Sequence, residues 1–69
     1  MPSIRQRADT ATERLSGLLD IRPDLTAADV AAAIGVSSGT IYRWIWGPSL
    51  PRSRIVINAL ERWLDTQEN

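Results

Sequence analysis

The sequence predicts an all-α domain, a compact bundle of four or five helices. Three observations carry that prediction. Apolar residues return at helical spacing, capping residues stand ahead of each such stretch, and Pro or Gly closes it. No convincing run alternates apolar and polar residues as a half-buried strand would, and there is no internal repeat. The 69 residues read as a single domain over 1–69, near the lower size limit for a core that holds without staples.

The first helix opens at Ser3, which forms a capping box with Gln6. Ile4, Ala8, Ala11, Leu15, Leu18 and Leu19 then make one apolar stripe. Thr10 and Glu13 have the spacing of a second capping box, so the first turns are either helix or a loose arm. Pro23 stops the helix at or before Arg22, because the residue ahead of a proline resists the helical conformation. Thr26 and Asp29 open a second helix with Val30, Ala31 and Ile34 facing inward, and Gly35 ends it. A third starts at Ser37 or Ser38, turns Ile41 and Trp44 inward, and stops at Gly47–Pro48. The last begins near Pro51–Ser53. Its Val56, Leu60, Trp63 and Leu64 form an apolar face that Ile57 widens.

Composition excludes more than it proposes. The chain has no cysteine and no histidine, which removes thiolate metal sites, disulfides, the commonest general base and the commonest transition-metal ligand. No acidic cluster has metal-site spacing. The expectation is therefore a non-enzyme with no catalytic residue, metal or cofactor, and no evident small-molecule ligand. No apolar run approaches membrane-spanning length and "MPSIRQRAD" lacks the apolar core of a secretory signal, so a soluble cytoplasmic protein is expected.

The net charge of zero hides a segregated pattern. Residues 8–36 carry Asp9, Glu13, Asp20, Asp24 and Asp29 against Arg14 and Arg22, whereas residues 37–54 carry Arg43, Arg52 and Arg54 with no acid. Such segregation can make one basic face on a neutral protein. All eight basic residues are arginine, the side chain suited to bidentate contacts with phosphate and guanine; an arginine-biased codon usage would give the same choice.

The stretch "LTAADVAAAIGVSSGTIYRW", Leu25 to Trp44, has the anatomy of a helix-turn-helix, spanning about 26–46. Ala31 is small where two helices cross closely, and Gly35 supplies the positive φ that a turn needs. Val30, Ile34, Val36, Ile41 and Trp44 lock the pair against the rest of the domain. An ordinary helical hairpin with glycine in its turn is the plain alternative.

From about Leu15 to Leu64 the chain resembles the lambda-repressor/Cro-type family of small phage and plasmid regulators. That family tends to close its recognition helix with Trp-x-x-Gly and to place proline four residues later; Trp44, Gly47 and Pro51 fit both spacings. The resemblance implies a lambda-repressor-like fold and a sequence-specific DNA-binding transcriptional regulator, a repressor that occludes a promoter. Its implied partners are double-stranded DNA and a second copy of itself, at least on DNA. Base-reading residues carried over by position are Ser38, Gly39 and Arg43, flanked by Thr40 and Tyr42. Backbone-gripping residues are Ser37, Trp46, Ser49, Arg52 and Arg54. Two positions depart from the family: Ala27 stands where a phosphate-binding glutamine is common, and Ile45 and Trp46 stand where polar residues are preferred.

Trp44 and Trp46, two apart on one helix, cannot share a face. Trp44 is expected in the core. Trp46, beside the arginine loop, either donates its indole N–H to a phosphate or packs over Pro48 and Leu50, or forms a partner surface with Ile45. Gly39 either lets the backbone approach the groove floor or is simply tolerated in a first turn. Ile55, Ile57 and Trp63 offer a dimer interface unless they are core. Two further functions fit the pattern less closely. An excisionase- or transposase-type module is suggested by "LP" at Leu50–Pro51 and "ALERWL" from Ala59, although the seven residues between leave no room for a β-wing. A protein-interaction module is suggested by neutral charge and the Ile45–Trp46 pair.

Overall fold

The computed structural model describes residues 2–68. They form four helices and no strand: α1 (Ile4–Ile21), α2 (Ala27–Ile34), α3 (Ser38–Trp46) and α4 (Arg54–Glu68). The bundle is compact, with a radius of gyration of 11.0 Å. No helix is long and apolar enough to cross a membrane.

Of the two ways to begin α1, the earlier one is taken. The Gln6 N–H donates to Ser3 Oγ at 3.1 Å while Gln6 Oε1 accepts from the Ser3 N–H at 3.0 Å, so two orphan donors are satisfied at once. The helix then runs unbroken past Thr10, which starts nothing, and there is no loose arm between Ser3 and Thr10. Thr12, an unexpected member of the buried face, donates its hydroxyl to the Asp9 carbonyl at 2.9 Å and enters the core satisfied.

The α2–α3 pair is built by its own punctuation. Thr26 and Asp29 close a reciprocal capping box on α2. Gly35 adopts φ 81°, and the Gly35 and Val36 N–H groups both donate to the Ala31 carbonyl, at 2.8 and 3.0 Å. A side chain at that φ would be strained, so glycine is what lets the chain reverse in three residues. At the other end of α3, Gly47 has a different reason to be glycine. Its φ is −103°, which any residue adopts, but a Cβ there would lie 2.8 Å from the Arg43 carbonyl oxygen.

The core sits where α1 and α4 pack side by side and α2 and α3 cross them. Leu15, Val30, Ile41, Ile57, Leu60 and Leu64 are fully buried, and Trp44 and Leu18 nearly so. Burying each such side chain contributes about 1.5–3 kcal/mol. Two expectations for α4 are revised. Ile57 is fully buried, although outside the main apolar cluster that holds Leu60 and Leu64, while Val56 and Trp63 are only partly buried against that cluster. Of the candidate dimer surface of Ile55, Ile57 and Trp63, Ile57 is therefore buried, Trp63 is partly exposed, and Ile55 is 80% exposed. At 100° per residue, Ile57, Leu60 and Leu64 fall on one side of α4 and Ile55 falls opposite.

Arginines from α1 fasten it to α4. Arg7 donates to Glu61 at 2.6 Å and to Asn58, and Arg14 bridges Asp65 at 2.9 Å and Glu68 at 2.8 Å. These pairs are partly exposed and worth little singly, yet they fix how α1 lies along α4.

Candidate nucleic-acid interface

The rotation of α3 sorts its residues. With Ile41 and Trp44 buried, the side opposite carries Gly39, Tyr42, Arg43 and Trp46, with Ser38 on its flank, all exposed. Three of the five expected base-reading positions thus share one outward face, and Ser38 is exposed beside it. Thr40 does not share that face. It is half-buried, and its hydroxyl is bonded to Ser37 Oγ at 2.8 Å. Ser37 is the N-cap of α3, its Oγ accepting from the Thr40 N–H at 3.3 Å. Of the two hydroxyl protons, one lies in the Ser37–Thr40 bond and the other is free to donate outward from the exposed start of α3.

Trp46 lies where helical side chains lean, back toward the preceding turn. Its ring stacks on Tyr42 with centroids 5.3 Å apart and planes 25° apart. Trp46, 79% exposed, lines a groove with Leu19, Leu25, Ala27 and Ile45. It therefore faces the start of α2 rather than Pro48 and Leu50. The indole thus lines a different groove from the one lined by Ser49 and Arg52. Ala27, where the resembled family has glutamine, is buried and offers no polar group.

The loop between α3 and α4 presents Ser49 and Arg52, and Arg54 begins α4; all three are exposed. Charge pairing separates the arginines into two groups. Arg7, Arg14 and Arg22 are each bonded to carboxylates, and those hydrogen bonds push their pKa values further up. Arg22 in turn holds the Asp24 carboxyl below its ordinary range through the hydrogen bond it donates. Arg43, Arg52 and Arg54 form no ion pair among the described residues. Arg7 and Arg14 fasten α1 to α4, Arg22 pairs locally with Asp24, and the unpaired arginines of the acid-free segment are exposed on α3 and after it. Arg5 also lacks a carboxylate partner, and it lines a groove with Pro48, Ser49, Leu50 and Arg52. Nothing in the linear sequence places position 5 beside position 52.

Among the described residues, no three Asp or Glu side chains stand together as a metal site. No family model matches the chain, and no curated protein or solved structure compared with it does so either.

Gly39 gives a test that separates stability from binding. A Cβ at this position would meet nothing closer than Ser37 Oγ at 4.0 Å. Gly39→Ala is expected to leave the fold intact or raise its stability by up to about 1 kcal/mol. If the α3 backbone closely approaches DNA at Gly39, the same variant loses affinity. A melting curve beside a duplex titration reads both; unchanged affinity would assign Gly39 to the helix's first turn alone.

Proposed function

We propose that the chain is a sequence-specific DNA-binding transcriptional regulator of helix-turn-helix type, acting in the cytoplasm as a repressor that occludes its site. The observation that carries this reading is the sorting of charge. The arginines that meet no acid include all three of the acid-free segment 37–54, on the outward side of α3 and the loop after it. In this reading α2, the Gly35 turn and α3 form the helix-turn-helix, and the bundle is lambda-repressor-like. Helix α3 enters the major groove, Arg43 and its neighbours meet base edges, and Ser37, Ser49 and Arg54 meet phosphates. One such helix covers only a few base pairs, so two copies bind half-sites about one helical turn apart.

Selection of bound fragments from random duplex DNA tests the reading and supplies the site. Binding should be strongly salt-dependent. With about three to six phosphates neutralised per subunit, log K falls with log salt by about 0.9 per phosphate. Two protein copies per selected duplex and a two-fold symmetric sequence are expected. Failure to bind any duplex at low salt would favour a protein-interaction module instead. One observation supports that second reading: Ile21 and Trp46 are 74% and 79% exposed, and Trp46 and Tyr42 flank an apolar groove. The connection between α3 and α4 contains no strand, so nothing supports a winged excisionase-type module.

A further inference from the structure

Helix α1 brings a cation to the loop that follows α3. The capping box at Ser3 and Gln6 holds the first turn of α1 as helix, and Arg7, bonded to Asn58 and Glu61, ties that turn to the first half of α4. Between those two anchors stands Arg5. Together with Arg52, and with Pro48, Ser49 and Leu50 between them, it lines one open groove. Both guanidiniums are exposed, neither forms a hydrogen bond or ion pair within the described residues, and no acid lines the groove. Two like charges in one concavity repel each other, and an anion between them relieves that repulsion. The chemistry on offer suits a tetrahedral oxyanion: two planar donor forks, which favour bidentate bonds to phosphate oxygens, and the Ser49 hydroxyl.

We propose that Arg5, Ser49 and Arg52 form a clamp for one phosphate of the DNA backbone, so that helix α1 takes part in holding the duplex beside α3. The proposal rests on the DNA-binding reading and adds to it a residue from the opposite end of the chain. It explains why Arg5 and Arg7, two residues apart, are treated differently by the fold. Arg7 is used up by Glu61, and that bond positions α1 so that Arg5 remains free at the groove.

A shared phosphate has a signature that two separate contacts lack. Salt slopes of duplex binding are to be measured for the wild type, Arg5→Ala, Arg52→Ala and the double variant. While either arginine remains, the phosphate is still neutralised, so each single variant should lower the slope by well under one unit. The double variant should lower it by about 0.9, one phosphate's worth. Slopes that fall by about 0.9 in each single variant and about 1.8 in the double would mean two independent phosphates and overturn the clamp. A loss confined to Arg52→Ala, or no loss in any variant, would overturn it as well. Arg62→Ala, an exposed and unpaired arginine two turns into α4, serves as the control and should leave the slope unchanged. Wild-type protein that binds no duplex at all would instead count against DNA binding itself. Inorganic phosphate supplies a last arm. If millimolar phosphate without DNA saturates the Arg5 and Arg52 side-chain Nε resonances, the groove is a free-anion site and the backbone assignment falls.

Discussion

Arg43→Ala is expected to relax sequence preference at one base pair per half-site while leaving the melting temperature nearly unchanged. Arg43 is exposed on the outward face of α3, forms no ion pair, and packs no core residue. An arginine there can donate two hydrogen bonds to guanine O6 and N7, the commonest specific contact of a helix in the major groove. Losing it should cost about 1–3 kcal/mol at the preferred base and almost nothing at the other three. Arg54→Ala makes the contrast, weakening all sequences alike because a phosphate contact carries no base information. Affinities for a panel of single-base changes in the selected site decide the matter. If Arg43→Ala weakens every member equally, Arg43 is another phosphate contact, and base reading falls to Ser38 and Tyr42.

The two tryptophans of α3 should behave as opposites. Trp44 is 8% exposed and packed with Leu15, Ile41 and Leu60 in the core, whereas Trp46 is 79% exposed. Truncating a buried tryptophan to alanine costs about 3–5 kcal/mol. A chain of this length has a total stability of about 3–10 kcal/mol, so Trp44→Ala should lose between about a third and all of it and melt far below the wild type. Trp46→Ala should melt within a few degrees of the wild type. Circular dichroism on heating shows both. A Trp46→Ala protein as unstable as Trp44→Ala would falsify the assignment of an outward Tyr42–Trp46 face. With stability preserved, the same variant also tests the role of the indole on DNA.

Those expectations show which parts of the molecule were legible in sequence. Helix starts were, because capping is local: Ser3 with Gln6, Thr26 with Asp29 and Ser37 ahead of α3 all satisfy backbone donors within three residues. The Gly35 turn was legible for the same reason, since a φ of 81° asks for glycine whatever surrounds it. Rotational detail was harder. Val56 and Ile57 are adjacent and both apolar, so only the packing of α4 decides that Ile57 is the one fully buried. Thr10 and Thr12 show a similar limit, because a hydroxyl able to cap a helix can equally bond back to a carbonyl inside one. The site was legible as far as the face of α3. The direction in which Trp46 leans depends on its stack with Tyr42, and the meeting of Arg5 with Arg52 depends on tertiary structure alone.

The fastening of α1 to α4 also has a consequence in time. The bonds from Arg7 to Asn58 and from Arg14 to Glu68 join residues 51 and 54 positions apart. The apolar stripe of α1 shares its core with Leu60 and Leu64 of α4 as well as with Ile41 and Trp44 of α3. During synthesis at about 5–20 residues per second, α1 emerges several seconds before the helix that shelters it. Throughout that interval Leu15 and Leu18 face water, and the α2–α3 pair lacks the surface on which it rests. The nascent chain thus acquires its arginine-bearing face late, only once α4 is available to complete the bundle.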